Sequence, residues 1–124
     1  MTNRPKFNPG QIVLTARVNE RMAGDAQFAK FVAECVMRHI RVDWGDLDPQ
    51  DERVNDVALL NGDRLLSAYR YMGDVTSLVT DDIVRIWVIT DGVISDLTPV
   101  GVILPSSERR GMREKTTVMF PDEY

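Results

Sequence analysis

Cys35 and His39 are the chain's only cysteine and only histidine, and they stand four residues apart. On a helix that spacing puts both on one face. A thiol beside an imidazole could be a nucleophile with its base, or half of a zinc site. A closed zinc site needs four ligands, however, and no second cysteine or histidine exists to complete it. Both residues also fall on an apolar stripe of helical period formed by Phe28, Phe31, Val32, Cys35, Val36, His39 and Ile40. The pair therefore reads as core, with Cys35 a small buried residue and His39 a satisfied imidazole near a helix end. Ser67 and Ser77 have no histidine at a suitable strand or loop position, which argues against a serine triad.

The second group with chemical potential is the acidic run in VDWGDLDPQDERVND, residues 42 to 56. Asp43, Asp46 and Asp48 could hold Ca²⁺ or Mg²⁺, which favour oxygen ligands. The EF-hand spacing is absent, because there is neither a D-x-D-x-D-G run nor a distal glutamate. Helix initiation explains more of the run. Asp48 before Pro49 is an N-cap followed by proline at N1, and Asp51 and Glu52 fall in the first turn, at the positive end of the helix dipole. Asp43 and Asp46 flank Trp44-Gly45 in the turn before that helix, with Trp44 read as an aromatic closing over the junction. As a surface, Asp43, Trp44, Asp46 and Glu52 form a candidate acidic patch for a partner. Arg109, Arg110 and Arg113 form a candidate basic one, although SERRGMREK carries two acids among its four bases and can equally be a solvated loop. No phosphate-binding glycine loop occurs, and no cofactor is expected.

These residues need elements to hold them. QIVLTAR after Pro9-Gly10 predicts a short strand. A break at Ala23-Gly24 leads to a helix from the N-cap Asp25 through Ile40, whose outer face carries the i,i+4 pairs Lys30/Glu34 and Glu34/Arg38. The helix from Pro49 should bury Val54, Val57 and Ala58 and stop at Asn61-Gly62. The period then changes to 2, with strands over 65–71, 83–90 and 116–120; IVRIWVIT is apolar on both faces and so belongs at the centre of the sheet. The order β-α-α-β-β-β predicts an α+β fold, an antiparallel sheet of about four strands with two helices on one face. Residues 1–124 read as a single domain, in which 91–115 is an inserted hairpin or loop more apolar than a surface connection requires.

Composition excludes several classes. With 124 residues, 44% hydrophobic and 27% charged, the chain is an ordinary globule. A lone cysteine, a proline-broken polar N-terminus and no apolar run near the roughly 20 residues of a membrane span point to a cytoplasmic protein with no membrane contact. A net charge of −4 disfavours nucleic acid as partner.

FNPGQIVLT, His39 followed by DWGDLDPQDERVND, GDRLLSAYR, IWVIT and the terminal TTVMFPDEY, in that order, resemble a family of short uncharacterised proteins of plasmids, phages and integrated mobile elements, often titled "plasmid related protein". The chain departs from the family in residues 91–115, where the family has a short connection, and in a longer 72–82 connection. The resemblance implies an accessory protein of mobile DNA and carries over no catalytic residue. The resulting expectation is a non-enzymatic protein that binds a host protein or defence complex, as an anti-CRISPR or anti-restriction inhibitor would. Its alternatives are a small divalent-metal-dependent hydrolase or nuclease using Asp43, Asp46 and Asp48, and a nucleic-acid-binding accessory protein. The spare apolar material at 93–104 further predicts a homodimer, with Val102 and Leu104 in or beside the contact.

Overall fold

The computed structural model describes residues 5–71, 84–92, 97–98, 102–103 and 113–124. Its elements are β1 (Gln11–Leu14), α1 (Ala16–Gly24), α2 (Ala26–Ile40), α3 (Pro49–Asn61), β2 (Leu65–Arg70), β3 (Arg85–Thr90), β4 (Leu97–Thr98), β5 (Val102–Ile103), β6 (Lys115–Met119) and a closing 3₁₀ turn, Pro121–Glu123. Among the described residues the main sheet has four strands in the order β1-β6-β3-β2. The α+β class is as expected, and β3 takes the central place that its two apolar faces imply.

Two features differ from the expected layout. β1 pairs parallel to β6, while the other pairings are antiparallel. A third helix, α1, also occupies residues that periodicity left unassigned. Its sequence ARVNERMAG has four polar residues in nine, and only Val18 and Met22 reach the core, too short an apolar stripe to stand out in the sequence. The Thr15 hydroxyl caps it by accepting from Val18 N–H, Val18 is fully buried, and Arg21 lies 4.9 Å over the Phe28 ring. Within the expected 91–115 insertion, β4 and β5 pair antiparallel with each other in a two-stranded sheet separate from the main one.

The helices cover the sheet face formed by Leu65, Ser67 and Tyr69 of β2, Ile86, Val88 and Thr90 of β3, and Thr116 and Val118 of β6, all buried. α2 lies at its centre. Asp25 caps it through Phe28 N–H at 3.1 Å, and Phe28, Val32 and Cys35 enter the larger core cluster with Tyr69, Ile86, Val88 and Val118. Its C-terminus closes with Val42 N–H on His39 C=O and Asp43 N–H on Arg38 C=O, the bonding of a Schellman motif. Val42 holds the left-handed position at φ 60°, which glycine normally takes, and it packs on a second cluster of Phe7, Ile40, Trp44, Ala58 and Leu65. On the opposite sheet face, Tyr124 meets Trp87 edge-on at 5.6 Å, and Arg64 stacks over Tyr124.

α3 begins and ends where its caps predict. Asp48 accepts from Asp51 N–H at 2.9 Å, and Gly62 is left-handed at φ 79°. Its orientation was not foreseen. Val54 and Val57, expected inside, are exposed; Ala58 is buried as expected, and Asn55 faces inward beside it. The reason is the outer edge of β2, where Leu66, Ala68 and Arg70 point their backbone groups away from β3. Asn55 meets Leu66 with both ends of its amide: Nδ2 donates to the carbonyl at 2.5 Å, and Oδ1 accepts from the N–H at 3.2 Å. This side chain substitutes for a neighbouring strand. Replacing Asn55 with Ala leaves both Leu66 groups under α3 without a partner. Urea denaturation should register a loss of roughly 1–3 kcal/mol, whereas a loss under about 0.5 kcal/mol, typical of a surface change, would show that the edge needs no seal.

Candidate binding surface

The turn at 43–46 completes the seal begun by Asn55. Asp46 N–H donates to Ala68 C=O at 2.7 Å, Ala68 N–H donates to Trp44 C=O at 3.3 Å, and Arg70 N–H donates to the Asp46 carboxylate at 2.7 Å. Gly45 is required for this approach, because a Cβ there would lie 2.1 Å from Ala68 O. Asp43 is held by Arg38 through Nε at 2.7 Å and Nη2 at 3.2 Å, and it accepts from Gly45 N–H. The Arg38 hydrogen bond is the main reason that its carboxyl sits below the ordinary range. Arg38 also lies over the Tyr69 ring, whose hydroxyl donates to Asp43 C=O at 2.6 Å. Trp44 is buried, with its indole N–H on Asp56 at 3.0 Å.

Each carboxylate expected to converge is thus occupied separately: Asp43 by Arg38, Asp46 by the edge of β2, Asp48 by the start of α3. Among the described residues no three of His, Cys, Asp and Glu come together as a metal would require. Glu52 lies half-buried in the first turn of α3.

The basic residues do not form one surface with these acids. Arg113 is buried, 4% exposed, and its Nη1 donates to Asp63 C=O at 2.7 Å and Asp91 C=O at 3.1 Å, joining the turn after α3 to the end of β3. Its Nε and Nη2 find no acceptor among the described residues. Desolvation lowers its pKa, against the opposing charge of Asp63. Its role is internal, not the exposed one expected. Arg109, Arg110 and Leu104 lie outside the described residues, as does the side chain of Val102, whose backbone is in β5.

Sequence spacing missed one polar constellation. His39 is fully buried, with Nδ1 2.5 Å from Ser67 Oγ and Nε2 2.8 Å from Thr90 Oγ1. Thr90 lies 2.6 Å from Thr116 Oγ1, which donates to Pro9 C=O at 2.8 Å. That last bond fixes every proton. Thr116 spends its hydrogen on the carbonyl, so Thr90 donates to Thr116, His39 Nε2–H donates to Thr90, and Ser67 donates to Nδ1. Ser67, for which no suitably placed histidine was expected, is therefore within reach of His39. Both are sealed at 0% exposure, and no carboxylate orients the ring. Ser67, Thr90 and Thr116 have core-facing parity in three adjacent strands, and hydroxyls at such positions were the available signal. Cys35 is buried too, and desolvation raises its thiol to about 12, so it stays protonated and unreactive at neutral pH.

What does face outward is α3. Val54, Val57 and Leu60 are 61%, 56% and 60% exposed and follow at three-residue intervals along one side of the helix. An open depression of about 540 Å³ lies against this row, floored by Val54, Val57 and Ala58 and flanked by Arg53 and Arg64. A second, of about 260 Å³, continues past Val54 to Leu47 and Leu66.

The buried imidazole makes stability depend on pH. Desolvation, followed by the charge of Arg113, lowers the His39 pKa to about 3, below the 6.5 of an unfolded histidine. The unfolded chain therefore takes up the proton first. The contribution of neutral His39 is complete above pH 6.5 and is lost as pH falls from there toward 3, at up to about 1.4 kcal/mol per pH unit. Thermal unfolding of the protein and of His39→Gln between pH 7 and 4 should show a steeper fall for the wild type, most clearly from pH 6.5 to about 5 where carboxylates contribute little; equal slopes would mean that His39 does not titrate as a buried base.

Comparison with known proteins gives no match among family models, curated proteins or solved structures.

Proposed function

We propose that this is a non-enzymatic binding protein of mobile DNA that acts by occupying a host protein through the outer face of α3 and the turn before it. The observation that carries the reading is the exposed row Val54, Val57 and Leu60. A row of apolar residues at helical spacing is the form in which an amphipathic helix fits a groove. Exposed apolar side chains gathered in a row, beside a depression, mark contact surfaces more often than scattered ones do.

Charge supports the same surface and describes the partner. Residues 43–63 hold seven carboxylates and one arginine, a formal charge of −6 in a chain whose total is −4. Asp43 and Asp46 are paired with Arg38 and Arg70. Asp51 and Asp63 line the depressions beside the apolar row, together with Arg53 and Arg64. The complementary surface is a groove that is basic and partly apolar, such as one that otherwise holds nucleic acid. Inhibition of a CRISPR or restriction complex would use such a groove. That step rests on the resemblance to mobile-element proteins.

Two double variants test the surface without disturbing the core. Val54→Ser with Val57→Ser removes the apolar row, and Asp51→Lys with Glu52→Lys reverses the charge. Because Val54, Val57 and Asp51 are exposed and Glu52 is half-buried at the helix start, each change should alter stability by no more than about 1 kcal/mol. Affinity capture with the tagged chain from a host lysate should retain a partner on the wild type and lose most of it on both variants. Absence of a retained protein, or equal retention by the variants, would remove the reading.

A further inference from the structure

The two edges of the main sheet are treated differently. At β2, Asn55, Trp44 and Asp46 provide partners for the outward N–H groups of Leu66, Ala68 and Arg70. At β1 the described residues provide no such cover. Gln11 N–H donates to Glu114 C=O at 3.0 Å and Thr15 N–H donates to Val118 C=O at 3.1 Å, so the odd-numbered residues turn their backbone toward β6. Ile12 and Leu14 turn theirs outward, and among the described residues nothing meets them. QIVL contains no charge, proline or glycine, the usual guards of a free edge. Ile12 is 43% exposed.

We infer that β1 pairs with β1 of a second copy, antiparallel about a two-fold axis, joining two main sheets into one. The strand is self-complementary in a single favourable register. With Val13 opposite Val13 across the axis, Ile12 of each copy faces Leu14 of the other. These are the residues with outward backbone groups, so each Ile12–Leu14 pair exchanges both of its N–H···O=C bonds. Ile12 and Leu14 are in register with the buried Thr116 and Val118 and so share the helix-covered face. Their side chains therefore meet as apolar cross-strand pairs, covering the exposed Ile12. The sealed edge of β2 then limits growth. A strand with two open edges would recruit copies without end, whereas this sheet closes at two. The interface lies away from the outer face of α3, so it stands or falls independently of the proposed function.

Light scattering of the full chain across the micromolar range tests it, the expected result being a mass about twice the 14.1 kDa of one chain. Ile12→Pro is a clean probe: the N–H it deletes makes no bond among the described residues, so the fold should persist by circular dichroism. Ile12→Lys places a charge at the same seam. Both should weaken the dimer by about tenfold or more, while Val54→Ser with Val57→Ser stays dimeric. Amide exchange at Ile12 and Leu14 should slow as protein concentration rises. A monomer throughout the range overturns the inference. So does a dimer that survives both Ile12 variants, or one lost in Val102→Ser with Leu104→Ser but kept in Ile12→Pro. A monomer that instead takes up a synthetic strand at β1 would also overturn it, showing an edge made for a foreign partner.

Discussion

A sheet must end somewhere, and each terminal strand presents backbone donors and acceptors that water, side chains or another strand must satisfy. Here the outer edge of β2 is met by a helix side chain, a turn backbone and a carboxylate, and much of the architecture follows. To reach Leu66, Asn55 must face the sheet, which rotates α3 so that Val54, Val57 and Leu60 face away from it. To reach Ala68, the turn between α2 and α3 must come within bonding distance, which only a glycine at position 45 permits. The exposed apolar row is thus the geometric counterpart of the sealed edge.

The same turn is fixed from below by the polar chain through His39. Ser67, Thr90 and Thr116 place a hydroxyl in each of three neighbouring strands, and His39 from α2 joins the first two. Every donor has an acceptor, so the imidazole is held neutral in one tautomer and aligns helix with sheet more specifically than apolar contact would. Phe7 and Trp44 meet the ring edge-on at 5.6 Å each, which carries the alignment into the second core cluster and to the base of the acidic turn. A serine beside a histidine can be a catalytic pair. Complete burial and a fully used ring make it a structural one here.

What the sequence shows and hides follows from the range of each interaction. α2 is legible because seven residues repeat one periodic signal and Asp25 marks its start. The ends of α3 are legible because Asp48-Pro49 and Asn61-Gly62 are local chemistry. The inward face of α3 is not, since its polarity depends on a strand eleven residues further on, and a buried asparagine looks like a surface residue in sequence. α1 is hidden for a related reason, with only Val18 buried and its cap shared with the C-terminal turn through Glu123. Asp43 and Asp46 looked available because the groups that occupy them, Arg38 and the edge at Arg70, come from other elements. Arg113 sat in a run that reads as solvated, but carbonyls at 63 and 91 draw it inside.

Val42 shows how strongly the turn is specified. A β-branched residue in the left-handed region costs roughly 1–2 kcal/mol, which glycine would avoid. Glycine would also leave the second core cluster without the side chain that packs against it and would loosen the chain just where it must aim Trp44 inward and Asp46 at β2. The strain is tolerable because the flanking bonds determine the backbone on both sides: Val42 and Asp43 close α2, and Trp44 and Asp46 grip Ala68. The polar groups of this region are mostly committed inward, to the edge, the caps and the core. What it leaves facing solvent is an apolar helix row beside charged residues of both signs, Asp51, Asp63, Arg53 and Arg64.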